Sequence, residues 1–141
     1  LAGGPGWLRA DLDLAIARSP YNNDIKLLGF VDDAERTALL RGARALALPS
    51  RYEGFGMQLL EAMACGAPIV TARNSSLGEI AGDAAVYVRA MDVSELARTL
   101  DAVLSDDELR LQLRARGFVR ASEFTWKDSA KRTREALLQK S

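Results

Sequence analysis

Histidine is absent from this chain, and cysteine occurs once, as Cys65. Without imidazole, neither a histidine-held metal nor a histidine general base can be built. A single thiol excludes an intramolecular disulfide framework and fits a reducing compartment. At the end of an apolar helix, Cys65 reads as a small hydrophobe rather than a reactive group. An excess of either charge is lacking too: 19 Lys and Arg balance 19 Asp and Glu, which argues against a nucleic-acid binder driven by bulk charge. No apolar run approaches the ~20 residues that span a bilayer, and no signal peptide is visible. There is no initiating methionine. The chain opens Leu1-Ala2-Gly3-Gly4-Pro5-Gly6, as though cut within a strand, and is read as a fragment of a longer protein.

What is present fits one domain: 141 residues, 48% of them apolar, enough for a real core. The organising stretch runs from Pro49 to Pro68, P-S-R-Y-E-G-F-G-M-Q-L-L-E-A-M-A-C-G-A-P. Short apolar runs flank it, ending at Leu48 and spanning Ile69 to Ala72. Strand, glycine-rich turn, helix and strand make a βαβ unit and imply a parallel sheet. The helix is expected to start near Met57 and to stop at Gly66, with Pro68 preventing continuation. It is apolar nearly all round and so expected to be buried, yet it carries Glu61, which then needs a partner. In the turn, Gly54 and Gly56 flank Phe55 and allow close backbone approach. The free N–H groups of the first helical turn suit an anion, most naturally a phosphate.

Taken in order, the chain predicts strands near 1–2, 25–31, 44–48, 69–72 and 84–88. Helices are predicted over Trp7 to Arg18, from Asp32 to Arg41 with Gly42 closing it, and over Leu77 to Ala81. Three more follow: Val93–Leu104, Asp107–Ser122 and Trp126–Gln139. Gly29, inside the second strand, suggests close backbone approach at the carboxyl edge of the sheet, where ligands sit in open α/β folds. The same rule assigns the loop Arg73-Asn74-Ser75-Ser76 to that cleft. Asp32 with Glu35, Ser76 with Glu79, Asp92 with Glu95 and Ser105 with Glu108 have capping-box spacing, which makes these glutamates structural. The arginines of D-D-E-L-R-L-Q-L-R-A-R-G-F-V-R read as a solvated helix face.

The pattern E-G-F-G-x3-L-E-A-M-A-x-G-x-P, with glutamates at 53 and 61, resembles the donor half of the family 4 retaining glycosyltransferases, the group 1 enzymes of GT-B fold. The likeness extends through L-A-G-G-P-G-W, L-L-G-F-V-D-D, G-D-A-A-V-Y-V-R-A-M-D and E-F-T-W-K-D-S-A. It implies a Rossmann-like open parallel sheet flanked by helices, the C-terminal half of such an enzyme, with the first strand of the domain and the acceptor domain absent. That first strand would lie between those at 1–2 and 44–48, and its loss would leave unpaired edges.

By resemblance, Glu53 is the catalytic candidate, contacting hydroxyls of the donor sugar and positioning the reacting carbon. The turn residues Gly54, Phe55, Gly56 and Met57 would meet the sugar or diphosphate through backbone N–H groups. Glu61 would accept from the ribose hydroxyls, and the edge at Gly29, Phe30 and Val31 would meet the base. The donor implied is a GDP- or UDP-sugar, with no cofactor and no metal. The acceptor, a glycan or a lipid-linked glycan, would bind the absent N-terminal domain. Stabilising the charge on the departing diphosphate is the main chemical task. The family's Arg and Lys for that task precede residue 1, and neither Arg51 nor Arg73 stands at their positions. Gln58 and Gly78 stand where many members have proline.

The whole protein is therefore expected to be a retaining hexosyltransferase, the chain alone inactive, the location cytoplasmic. Any peripheral membrane association is left to the parent. The sequence context looks more like bacterial mannosyl- or rhamnosyltransferases of surface-polysaccharide assembly than like glycogen synthases. The alternative is a non-catalytic nucleotide-binding or regulatory module of the same fold, against which the retention of both glutamates argues. A sugar-nucleotide epimerase is disfavoured by the E-G-F-G turn. A dehydrogenase is disfavoured by the lack of G-x-G-x-x-G after a strand.

Overall fold

The structure, a computed structural model, describes residues 1–4 and 9–138. It divides into two units, Leu1–Arg36 and Thr37–Ser141. In the first, helix α1 spans Ala10–Arg18, and its expected start at Trp7 lies outside the described residues. The strands expected at 1–2 and 25–31 do not form. In their place is a single parallel bridge between Ala2 and Gly29. Gly3 N–H donates to the Gly29 carbonyl at 2.7 Å, and Leu28 N–H to the Leu1 carbonyl at 2.9 Å. Gly29, at φ +67°, turns the backbone out of the extended region, and the pairing ends there. Leu27 and Leu28, whose apolar character suggested a strand, are 41% and 44% exposed, so no burial extends it.

Helix α2 (Asp33–Gly42) begins with the predicted capping box. Glu35 N–H donates to Asp32 Oδ1 at 2.8 Å, and Asp32 N–H to Glu35 Oε2 at 3.1 Å. Gly42 belongs to the last turn instead of ending it; the end is tightened one residue later, where Ala43 N–H reaches the Leu40 carbonyl.

The second unit contains the sheet. Strands β1 (Leu46–Leu48), β2 (Ile69–Ala72) and β3 (Ala85–Val88) lie parallel in the order β1-β2-β3. Leu46 pairs with Ile69, and Ile69 with Ala85. The crossovers run through α3 (Met57–Cys65) and α4 (Leu77–Ala81), as parallel pairing requires. The open parallel α/β fold read from the sequence is the fold observed. Its sheet has three strands among the described residues, and β1 has a ladder partner on one side only.

β2 is buried at every position, and its alternation feeds two cores. Ile69 joins Leu59, Ala62, Met63, Leu77 and Ile80 on the α3 and α4 side. Val70 joins Val88, Val103 and Leu113 on the other. Each fully buried side chain of this size contributes roughly 1.5–3 kcal/mol. Thr71, the buried polar residue of the strand, donates its hydroxyl to the Leu48 carbonyl at 2.8 Å.

Helices α5 (Val93–Ser105), α6 (Asp107–Ser122) and α7 (Trp126–Leu138) follow. α6 reaches α3 through Gly117, where a Cβ would stand 3.3 Å from Met63 Cγ. The expected solvated arginine face of α6 holds for Arg114 and Arg116, which are exposed, and fails for Arg110 and Arg120. Arg110 donates to the Val103 carbonyl at 2.9 Å and the Leu104 carbonyl at 2.5 Å. Arg120 donates to the Ile80 carbonyl at 3.0 Å and the Glu79 carbonyl at 2.5 Å. Helix C-termini leave carbonyls without intrahelical donors, and α6 supplies guanidinium groups to those of α4 and α5. Arg44 also bonds the Leu104 carbonyl, at 2.6 Å, ahead of β1, which starts at Leu46 rather than 44.

Two capping boxes differ from expectation. Asp106, not Ser105, caps α6 by accepting from Leu109 N–H at 2.9 Å, because Ser105 is still the last residue of α5. Ser76 makes no side-chain cap on α4; its backbone is helical (φ −75°, ψ −17°) rather than extended. Asp92 caps α5 through Glu95 N–H at 2.8 Å, while the Glu95 carboxylate turns to Arg89.

Candidate functional site

The loops after β1 and β2 leave the carboxyl ends of adjacent parallel strands, the edge where open α/β sheets bind ligands. They are tied together. Glu53 N–H donates to Ser75 Oγ at 3.0 Å, and Ser76 Oγ donates to the Glu53 carbonyl at 2.9 Å. Asn74 Nδ2 donates to the Arg51 carbonyl at 2.6 Å, while its buried Oδ1 has no hydrogen-bond partner. Ser75 adopts φ +47°, a conformation uncommon outside glycine, and in it meets Glu53. Within its own loop, the Glu53 carboxylate accepts from Ser50 Oγ at 2.9 Å. Half-buried, Glu53 is thus fixed through its N–H, its carbonyl and its side chain.

These serines are the site residues that sequence reasoning missed. The assignment of the 73–76 loop to the cleft edge was the available signal. The capping spacing of Ser76 with Glu79 pointed instead to α4, and the hydroxyl went to Glu53.

The two turn glycines differ. Gly56 is buried, at φ +98°, and a Cβ there would stand 3.1 Å from Leu77 Cδ2, so both conformation and space demand glycine. Gly54 is exposed, and a Cβ there would meet nothing within 4 Å. Nothing inside the fold requires glycine at 54. Gly56 is the N-cap of α3 and supplies no side-chain cap, so the first-turn N–H groups, starting at Met57, have no capping side chain on them. Phe55 is 45% exposed and meets Phe124 edge-on, with centroids 6.4 Å apart and planes at 85°.

Helix α3 is less enclosed than its composition suggested. Leu59, Ala62 and Met63 are buried, but Met57, Gln58 and Ala64 are exposed. The sheet and α6 cover one side of it only. Glu61 consequently lies half-buried at the margin of the core, one turn beyond Met57 on the same side of the helix. Gly29, Phe30 and Val31 belong to the first unit: Gly29 and Val31 are half-buried, and Phe30 is 85% exposed.

Arg73 stacks on Tyr87, its guanidinium carbon 4.4 Å from the ring centroid, and its Cγ would be 3.2 Å from a Cβ at Gly78. Tyr87 donates its hydroxyl to the Gly82 carbonyl at 2.6 Å. Burial pushes the phenol above its ordinary 10.0, against the opposing pull of Arg73. Among the described residues, no group of three or more His, Cys, Asp or Glu is arranged to hold a metal ion.

Residues 3–120 match the family model for glycosyl transferases group 1. The chain is 36% identical over 133 residues to O-antigen chain mannosyltransferase B of Escherichia coli, covering 94% of this chain and 35% of that protein. It is 40% identical over 117 residues to a glycogen synthase of Mycobacterium tuberculosis, covering 80% of this chain and 28% of that one. The chain thus spans about a third of the length of the curated relatives it matches. Among solved structures, HepE of Anabaena in complex with UDP superposes with a TM-score of 0.86 at 24% identity, over 99% of this chain and 40% of that one. At that identity the likeness speaks for the fold.

Proposed function

Because this chain belongs to the group 1 glycosyl transferases, we propose that it carries most of a nucleotide-sugar donor site. The parent protein would transfer a hexosyl group from that donor to a glycan or lipid-linked acceptor, with retention at the anomeric carbon. The observation that carries this reading is the loop around Glu53. A carboxylate fixed by Ser50 stands beside a glycine turn whose Gly54 is open to solvent and whose Gly56 begins a helix without a side-chain cap.

The chemistry follows from that arrangement. A diphosphate leaving group gains negative charge as the glycosidic bond breaks, and helix-terminal N–H groups favour that charge. The backbone N–H groups of Phe55, Gly56 and Met57 would receive the diphosphate or sugar. Glu53, held in one rotamer by Ser50, would accept from sugar hydroxyls and fix the reacting carbon. Glu61 would accept from the ribose. Transfer by this route requires no metal in our reading.

The donor is proposed to be a GDP- or UDP-sugar. The mannosyltransferase of Escherichia coli supports a mannosyl-type transfer in surface-polysaccharide assembly, and the UDP complex of HepE supports nucleotide binding by this fold. No helix among the described residues is long and apolar enough to cross a membrane. We assign the reaction to the cytoplasm and acceptor binding to the part of the protein beyond this chain.

The test is a calorimetric titration with UDP, GDP and ADP, followed by transfer assays with the matching mannosyl and glucosyl donors. Preferential binding of one nucleotide, weakened in Glu61→Ala, together with retention of anomeric configuration in the product, is expected. Nucleotide binding without any transfer by the intact protein would favour the regulatory-module alternative.

A further inference from the structure

The Gly54-Phe55-Gly56 turn has little conformational preference of its own, since glycine flanks its one side chain on both sides. The ring of Phe55 has its aromatic contact on Phe124, in an edge-to-face pair with centroids 6.4 Å apart. Phe124 sits in the short joint between α6 and α7, far from the turn in sequence. This joint is itself firmly set. Phe124 N–H donates to the Ala121 carbonyl at 3.2 Å. Thr125 then opens α7, its hydroxyl donating to Asp128 Oδ2 at 2.6 Å and accepting from Asp128 N–H at 3.1 Å.

Arg120 fixes the ring from another side. Its guanidinium lies 4.8 Å from the Phe124 centroid, within the range in which a cation is drawn to an aromatic ring. The same guanidinium is anchored on the carbonyls of Glu79 and Ile80 at the end of α4 and on the Glu123 carboxylate. A four-part path therefore leads from the end of α4 through Arg120 and Phe124 to Phe55. Phe55 carries the backbone whose N–H groups open α3.

We propose that Phe124, held by Arg120, is a positioning residue that sets the Phe55–Gly56–Met57 N–H groups for the diphosphate. This rests on the donor-site reading above. Phe124 touches no ligand in this proposal; it acts through the Phe55 ring. Phe55 is 45% exposed, so its ring contributes little to the core and is available for this orienting role.

The test compares nucleoside with nucleoside diphosphate in the intact protein, using uridine with UDP and guanosine with GDP. Phe124→Ala is expected to weaken the diphosphate about three- to tenfold, the scale of one aromatic pair, and to leave the nucleoside unchanged. Phe55→Ala is expected to give the same loss, and the double variant no more than either alone. Phe124→Tyr, which keeps the ring, is expected to restore wild-type affinity. Amide resonances of residues 54–57 provide a ligand-free reading and are expected to shift in Phe124→Ala. Equal weakening of nucleoside and diphosphate, additive losses, or unmoved turn amides would each overturn the proposal. If Phe124→Ala unfolds the protein, Phe124→Leu and Phe55→Ala carry the same comparison. Shifted turn amides in a protein that binds no nucleotide would leave the positioning link standing and remove the donor-site reading.

Discussion

The Ser50 hydroxyl donates to Glu53 Oε1 across 2.9 Å, within the same short loop after β1. A carboxylate so held loses rotamer freedom before substrate arrives, which is how a positioning hydrogen bond assists turnover. Ser50→Ala is expected to lower kcat about tenfold, the scale of one hydrogen bond to a charged group, with nucleoside diphosphate affinity unchanged. Steady-state kinetics alongside calorimetry would check this. A loss of affinity with kcat preserved would remove Ser50 from that role.

Glu53 and Glu61 are expected to separate in their effects. In the proposed donor site Glu61→Ala would remove an acceptor for the ribose, and it is expected to weaken nucleotide binding by about 1.5–3 kcal/mol. Glu53→Ala is expected to reduce turnover while sparing affinity for the free nucleoside diphosphate. Titrating both variants with the same nucleotide decides the matter; equal losses of affinity would refute the division of roles.

Gly66 ends α3 at φ +78°, and a Cβ there would stand 2.7 Å from Phe118 Cζ and 2.9 Å from Arg114 Nε. Gly66→Ala combines a left-handed backbone with displacement of two α6 side chains. A destabilisation of about 1–3 kcal/mol is expected, read from the shift of the urea midpoint. An unchanged midpoint would mean that α6 yields at no cost.

Tyr87 gives the alkaline limb of stability a specific cause. Burial raises its phenol above the ordinary 10.0, so folding favours the protonated form. Its contribution is complete below pH 10.0 and is lost as pH rises through the higher folded value. Urea midpoints are expected to fall above about pH 10 in the native sequence and to fall less in Tyr87→Phe. At the acid end Glu95 behaves oppositely, because the Arg89 hydrogen bond holds its carboxyl below the ordinary 4.5. Its contribution is present above pH 4.5 and disappears as pH falls through the lower folded value.

The sequence was most legible where pattern and punctuation agreed. Apolar runs bounded by Gly66 and Pro68 located α3 and β2, and the D-D-A-E box located the start of α2. It was least legible where one residue type serves two purposes. Ser76 stood at capping spacing but bonded Glu53, because the choice depended on a loop that approaches only in three dimensions. Arg110 and Arg120 of α6 looked solvated since their partners are carbonyls of other helices, and carbonyls leave no mark in a sequence. The stretch 25–31 looked like a strand by composition, yet Leu27 and Leu28 stay partly exposed and Gly29 turns the chain away. Around the glycine turn, the helix start at Met57 was readable, and the serine ties around Glu53 were not.

The position of α6 late in the chain has a consequence for synthesis. α3 leaves the ribosome well before α6, yet Gly117 of α6 packs against Met63, and Arg120 bonds the carboxyl end of α4. A nascent chain that has emerged only through β3 therefore exposes the side of α3 on which Met63 lies, with the end of α4 lacking its guanidinium. At about 5–20 residues per second, the remaining helices follow within seconds. During that interval the apolar side of α3 is a natural target for a chaperone, and a stall before residue 117 would prolong the exposure.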